Sequence, residues 1–339
     1  MPMPTPIRSL RDRILGRKTP GSTRAEDSRP ATSQTSSSIT ASALLKRPAP
    51  KVRQPDQILG INLRNAIIAK YNGRQAIERA RDKVAAKVAL VERGIATTGT
   101  IAVISSYGEL GNFDPEKVLP PAWAIKPARG SQGDGILLAV GKKGRNWLKG
   151  SGKEMTPADV YNHVQKVVDG QFSGDSEPQD AALIEPLIIA DPTIAALVDD
   201  GLPDMRVICL KDEPIMAMMR FPTNESDGKA NLHQGGIGAG VALDTGILFR
   251  AKQGTKVLTH HPDTGANLIG FQVPHWDKVL DIAGRSGPAI GLGYCGVDIV
   301  HDKNHGPMVI EVNAHPGIEI QNTTLQGLRG AMALLGEFD

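Results

Sequence analysis

Val297-Asp-Ile-Val300, followed after a short polar interval by Val309-Ile-Glu-Val-Asn313, is the part of this chain whose reading decides the fold. Both segments are short apolar runs that read as neighbouring strands. Side chains two apart on a strand share a face, and so do residues directly opposed on paired strands. Glu311 and Asn313 therefore point the same way, and Asp298 can join them from the next strand. Two carboxylates and an amide oxygen gathered in this way form a hard-oxygen cage. Such a cage suits Mg²⁺, which takes a few carboxylates and completes its shell with substrate phosphates. The same alternation also fits a half-exposed strand with solvated acids, so the rest of the chain has to decide.

The 339 residues are 40% hydrophobic and only 4% aromatic, with 37 glycines. This length allows two or three structural units, and the composition suits an enzyme with close backbone approaches. The net charge of +3 is unevenly spread: residues 1–55 carry 11 Lys+Arg against 3 Asp+Glu, leaving 28 against 33 for the remainder. A basic leader on a mildly acidic body does not describe a nucleic-acid-binding domain, and no nucleic-acid partner is expected. Cys209 and Cys295 stand in apolar runs without metal-ligand spacing and read as buried free thiols of a cytoplasmic protein. No apolar run reaches the length of a membrane span, and the leader's arginines lack the apolar stretch of a secretory signal.

Residues 1–54, rich in Pro, Ser, Thr and Arg, read as a disordered tail. An amphipathic basic helix over 7–18 is the alternative there. Residues 55–95 read as a helical segment broken at Tyr71-Asn-Gly73, with Ile77, Ala80, Val84, Val88 and Val91 at helical spacing until Gly94. Beyond it the pattern predicts strands at 101–105, 122–126, 135–141 and 181–189. A strand pair follows over 204–220, joined by Lys211-Asp-Glu-Pro214. Helices are expected at 157–169, 277–290 and about 322–336. His260, His261, His275 and His315 read as surface or loop residues.

Several constellations carry chemistry. Lys126 ends a strand just before a loop holding Gly130, Ser131, Gly133 and Gly135. Glycines let backbone N–H groups wrap anionic oxygens, and a lysine adds a point charge for phosphate; an ordinary hairpin turn would look similar. The spacing matches neither a Walker loop nor a dinucleotide fingerprint. Ala182-Leu-Ile-Glu-Pro-Leu-Ile-Ile189 is an extended apolar segment with one acid, suited to an adenine ring or to a plain edge strand. Arg206 and Arg220 lie in strands, where a charge needs a partner, and an arginine fork matches phosphate and carboxylate geometry. Asn231-Leu-His-Gln-Gly-Gly236 adds polar groups and a glycine-rich turn.

In their order these elements resemble the ATP-grasp superfamily, and specifically the RimK-type glutamate ligases. The family run "DiR…aaxxR…NlhrGG…GvDi…plvxEvNasPG" is similar to Asp204-Met-Arg206, Ala217-Met-Met-Arg220, Asn231-Leu-His-Gln-Gly-Gly236, Gly296-Val-Asp-Ile299 and Pro307-Met-Val-Ile-Glu-Val-Asn-Ala-His-Pro-Gly317. Asp82-Lys83 with Lys87 and Gly94-Ile95 resembles the "DK…K…GIP" opening of the same fold. The chain departs at His315, where Ser is usual, and at Gln234, where Arg is usual. The resemblance covers about residues 56–336.

The resemblance implies an α+β ATP-grasp fold, with a small lobe over about 96–188 and a large lobe over about 189–339 closing on ATP. It implies that Lys83 and Lys126 contact the ATP phosphates or the adenine side, and that Gly130, Ser131, Gly133 and Gly135 belong to the cofactor-binding site. Glu185, Leu187 and Ile188 would line the adenine, and Asp191 the ribose. Asp298, Glu311 and Asn313 would hold Mg²⁺, with Mn²⁺ as a substitute, while Arg206, Arg220 and Asn231 would act on the transferring phosphoryl group. The implied reaction is ATP-dependent carboxylate–amine ligation through an acyl phosphate, releasing ADP and phosphate and adding glutamate or a similar amino acid. A kinase-like phosphotransferase and a non-catalytic nucleotide-binding scaffold are the alternatives. The expected partners are a small-molecule or peptide carboxylate and an amine, and a homo-oligomer stays open.

Overall fold

The seven-stranded sheet at the centre of the computed structural model owes its two-sided burial to strands that alternate two kinds of apolar partner. Residues 57–130, 133–173 and 179–338 are described; the tail expected over 1–54, the alternative helix over 7–18 and Ser131 lie outside them. The chain enters through α1 (Ile61–Tyr71), α2 (Arg74–Arg81) and α3 (Lys83–Glu92). The periodicity from Ile77 to Val91 reads as one helix, yet it breaks at Asp82. That residue adopts an extended conformation and its carboxylate accepts from the backbone N–H groups of Val84 and Ala85. An aspartate at a helix start satisfies donors that an uninterrupted helix would not leave free, so the cap overrides the apolar pattern.

A four-stranded antiparallel sheet follows, in the order β1 (Ala102–Ile104), β7 (Ala182–Pro186), β2 (Trp123–Pro127) and β3 (Leu137–Ala139). Two short helices, α4 (Tyr107–Gly111) and α5 (Pro115–Val118), lie between β1 and β2. The small sheet of β4 (Gly141–Lys143), β5 (Asn146–Leu148) and β6 (Glu154–Met155) leads into α6 (Pro157–Val168). Thr156 and Asp159 cap this helix reciprocally. Its Val160, Val164, Val167 and Val168 pack on Trp123, Ile125 and Ile184. Trp123 and Trp147 meet edge to face, their ring centroids 5.9 Å apart. Strand β7 stops at Pro186, short of the expected 181–189, because proline cannot donate to the ladder. Leu187 and Ile188 therefore sit in a connection rather than in a strand.

That connection passes α7 (Pro192–Ala195) into the large sheet, ordered β12-β11-β10-β9-β8-β13-β14. Its members are β8 (Asp204–Leu210), β9 (Glu213–Phe221), β10 (Ile237–Val241), β11 (Leu248–Gln253), β12 (Lys256–Leu258), β13 (Tyr294–Asp302) and β14 (Gly306–Asn313). One face, with Val207, Cys209, Ala217, Val297, Ile299 and Val312, is covered by α8 (Trp276–Ile290) and by residues of α2 and α3. Cys209 and Cys295 are buried, free and directly opposed across β8 and β13. Along the opposite face Ile208, Leu210, Met216 and Met218 pack under α1 and the C-terminal helices α9 (Ile320–Thr324) and α10 (Leu328–Ala333). The single helix expected over 322–336 is thus two, because Leu325 takes a left-handed conformation at φ 55° and Gly327 abuts the Gln57 backbone.

Two chain crossings tie the sheets together. Val309 N–H donates to Ala96 O at 2.9 Å, beside a parallel bridge between Thr97 and Val309. On the second crossing, Asp191 N–H donates to His301 O at 2.9 Å and Lys303 N–H to Ile189 O at 2.7 Å. His261, read as a loop or surface residue, lies in a loop but is buried: its ring lies against Phe221 and its Nε2 meets Pro222 O at 2.9 Å.

Helix α8 can approach the sheet because Gly284 has no Cβ; one added there would stand 2.3 Å from the Asp212 carbonyl, a backbone atom of the β8–β9 turn. Gly284→Ala should therefore push helix and turn apart and destabilise the protein by about 1–3 kcal/mol, as overpacking does. The urea midpoint checks this, and an unchanged midpoint contradicts the packing described.

Candidate active site

The face that is apolar beneath α1 and α9 becomes ionic towards the other end of the same strands. On β8, Arg206 and Asp204 continue the side on which Ile208 and Leu210 lie, two residues at a step. Register then sets their neighbours: Asp204 opposes Arg220, Arg206 opposes Asp298, and Asp298 opposes Glu311. Asn313 follows Glu311 by two and opposes Gly296. A bulge after Asp298 shifts the β13–β14 pairing beyond it.

Asp298 is the hub. Arg206 donates to it through Nε at 2.8 Å and Nη2 at 2.6 Å, Arg220 Nη2 stands 3.0 Å away, and Asn313 Nδ2 lies at 3.3 Å. Arg220 in turn clasps Asp204 with two bonds of 2.5 and 2.6 Å. Burial would drive the Asp298 carboxyl upward, but the two guanidinium groups outweigh it and hold it below the usual carboxylate range. Burial wins at Asp204, whose carboxyl is raised despite the pull of Arg220. Arg220 is raised because the two aspartates outweigh its desolvation, so it stays charged.

The opposite wall comes from α3, β2 and β7. Lys83 Nζ donates to Gly130 O at 2.5 Å and lies 3.7 Å from Glu311 Oε1, reaching from the start of α3 to the sheet. Glu185 is nearly inaccessible and bonds Lys87 at 2.5 Å, Lys126 at 2.8 Å and the Thr98 hydroxyl. Burial alone would raise its carboxyl, but Lys126 and Lys87 hold it at about 2. The effect on Lys87 runs the other way, for desolvation there outweighs Glu185 and lowers the ammonium. Geometry favours a charged pair, since Lys87 also donates to Thr98 and to Gly99 O. A narrow cleft runs between these walls, lined by Lys83, Lys87, Lys126, Glu185, Ile310 and Glu311 among others.

Of the residues singled out in the sequence, Asp298, Glu311, Asn313, Arg206 and Arg220 converge on one face, and Lys83, Lys126 and Glu185 border the same cleft. Glu185 does so as an ion-pair partner of two lysines. Asp191 is occupied in capping α7, where it accepts from Thr193 N–H and Oγ1. Asn231 caps the short turn of helix Leu232–Gln234 and bonds His233 N–H rather than the arginines. In the glycine loop, Gly133 and Gly135 have φ of 83° and 71°. A Cβ at Gly135 would strike the Phe172 ring, so packing by itself demands glycine there. Lys87 and Asp204 stand in the sequence motifs without an assigned role, and the structure places both in the ionic network. Their signals were a lysine one helical turn beyond Lys83 and an acid two residues before Arg206.

The donor set fits a hard divalent cation. Among the described residues Glu311 is held only by the long contact to Lys83, and a half-turn of the Asn313 amide replaces its Nδ2 with Oδ1 facing Asp298. Among the described residues no group of three or more His, Cys, Asp or Glu is placed to bind a metal, so the amide oxygen is needed as the third donor. No helix of the described residues is long and apolar enough to cross a membrane.

Comparison with known proteins gives the family of the chain. A protein named probable alpha-L-glutamate ligase from Maridesulfovibrio salexigens is 26% identical over 250 residues, covering 74% of this chain and 60% of that protein. One of the same name from Xanthomonas oryzae is 26% identical over 252 residues, covering 73% and 61%. The chain thus spans about three-fifths of the length of these relatives. A D-alanine–D-alanine ligase from Bacillus anthracis, solved with ATP, aligns over 77% of this chain and 62% of its own at 16% identity, with a TM-score of 0.44. The family described as sugar-transfer associated ATP-grasp matches residues 62–335, and the chain belongs to that family.

Proposed function

We propose that this protein is an ATP- and Mg²⁺-dependent carboxylate–amine ligase that works through an acyl phosphate and releases ADP and phosphate. The observation that carries the reading is the 3.7 Å approach of Lys83 to Glu311. It sets phosphate-binding lysines of one wall against the carboxylates and arginines of the other. The ligase name of the relatives supports the reaction type and suggests glutamate, or a similar amino acid, as one substrate. The division into 55–95, 96–188 and 189–339 belongs to the same reading, supported by the separate cores of the two sheets.

The chemistry follows from charge. An amine attacks a carboxylate poorly, because the carbon bears an anion and no leaving group. Phosphorylating one oxygen supplies that leaving group. The protein's task in such a transfer is positioning and charge neutralisation. Lys83 and Lys126 would meet the triphosphate, with Lys126 exchanging Glu185 for phosphate oxygen. Asp298, Glu311 and Asn313 would hold Mg²⁺, which would supply charge neutralisation for phosphoryl transfer. Arg206 and Arg220 face the same space and suit the oxygens of the phosphoryl group in transit. Leu138, 45% exposed, shares its face of the four-stranded sheet with Ala124 and Glu185 by register and would offer an apolar surface for the base. Water must be kept from the acyl phosphate. Of the two glycine-rich segments that read as lids, residues 237–240 belong to the buried strand β10 and cannot move in that way, which leaves the task to the loop carrying Gly130, Gly133 and Gly135.

Glu311→Ala removes one carboxylate of the cation cage and should reduce ATP turnover by at least about a thousandfold, the scale of losing a main charge-stabilising group. The near-native fold should survive, as circular dichroism can verify. Undiminished ADP release contradicts the assignment, and ADP formed without amine, with a stable phosphorylated product, points to a kinase. A second outcome concerns pH. A carboxyl lowered in the folded state stabilises the fold above its unfolded pKa and loses that contribution as the pH falls through the folded one. The melting-temperature advantage of the wild type over Glu185→Gln should therefore be full above pH about 4.5 and shrink towards pH about 2. A gap that does not change with pH contradicts the ion triad.

A further inference from the structure

We infer that Arg206 is a metal-gated arginine: it is held by Asp298 while the cation cage is empty and released towards anionic substrate oxygens when Asp298 takes up a divalent cation. This rests on the reading of Asp298, Glu311 and Asn313 as the cage. The two arginines differ in how they are anchored. Arg220 is held by two carboxylates, doubly by Asp204 and once by Asp298. Arg206 pairs with Asp298 alone among the acids of the described residues, using both prongs of its fork. Asp298 is almost fully buried, and its Oδ2 already meets Arg206, Arg220 and Asn313 at 2.6–3.3 Å.

A divalent ion bound through this carboxylate would bring two positive charges within a few ångströms of the Arg206 guanidinium. One negative charge cannot hold both at full strength in so enclosed a place, where charges are weakly screened. Asn313 has to turn its amide for the same reason. Arg220 loses only its weaker contact, because Asp204 keeps its own two bonds. The arrangement thus sorts the pair into a fixed arginine and a movable one. Arg206 becomes free for the transferring group only after the cation is in place, which couples cation loading to assembly of the anion site. Asp204 acts as the positioning residue that keeps Arg220 from following.

Arginine Nε–H NMR resonances of the full chain labelled with ¹⁵N-arginine test this without turnover. Arg206→Lys and Arg220→Lys each remove one resonance and so assign them. Adding Mg²⁺ alone should shift the Arg206 signal and speed its exchange with solvent, while the Arg220 signal stays. In Asp204→Asn, both signals should respond. Mn²⁺ titration followed by electron paramagnetic resonance gives the second readout. Arg206→Gln should bind Mn²⁺ at least about tenfold more tightly than wild type, the scale of one charge-assisted hydrogen bond lost to the competitor. Mn²⁺ binding that is lost in Glu311→Gln, with an Arg206 signal indifferent to Mg²⁺ or an Arg206→Gln affinity equal to wild type, overturns the gating and leaves the cage standing. Binding that survives Glu311→Gln, or no binding by wild type, overturns the cage and the gating together.

Discussion

A buried carboxylate on a central strand has to be matched by positive charge, and the ionic end of the large sheet is organised around that constraint. Asp298 sits where β8, β13 and β14 run side by side, so its cross-strand neighbours are fixed by register. With Arg206 on one side and Glu311 on the other, it faces cationic and anionic partners at once. Removing one partner of such a pair leaves a buried charge uncompensated, which is strongly destabilising. The pattern also explains why Asp204 is present: Arg220 needs an anion of its own whenever Asp298 is otherwise engaged.

A second charged group mirrors the first across the cleft. Glu185 joins Lys87 of α3 to Lys126 of β2, tying the helical entry of the chain to the four-stranded sheet. In both groups one acid is shared between two bases, and that sharing is what makes them usable. Lysines that share one glutamate can exchange it for phosphate oxygen, and arginines that share one aspartate can exchange it for another anion. The crossings at Ala96–Thr97 and Ile189–Asp191 tie the two walls together through backbone hydrogen bonds.

Much of this was legible in the sequence, and the reasons are specific. Val297-Asp-Ile-Val300 and Val309-Ile-Glu-Val-Asn313 gave both strand identity and side-chain direction, since a two-residue period admits one arrangement of faces. The strand pair over 204–220 and the helix at 276–290 were readable for the same reason of strong periodicity. Boundaries set by single residues were not. Asp82 interrupts an apolar run that continues on both sides, Pro186 cuts a strand whose apolar composition goes on to Ile189, and Leu325 turns left-handed although leucine favours helices. Roles set by tertiary partners were also hidden. Nothing local marks Lys87 as a buried ammonium, whereas Asp191 before Pro192 and Asn231 before the glycines carry local cap signals that the ligand reading passed over. The glycines at 130–135 look like a phosphate loop, yet Gly135 is required by Phe172 whatever the ligand.

Placement of the cation decides the account most directly. Crystals grown with Mn²⁺ and a non-hydrolysable ATP analogue, measured at the manganese absorption edge, locate the ion by its anomalous signal. The account predicts a peak within coordination distance of Asp298, Glu311 and the Asn313 amide oxygen, with the terminal phosphates of the analogue beside it. A peak elsewhere, or a nucleotide bound outside the cleft between Lys126 and Glu311, would contradict it.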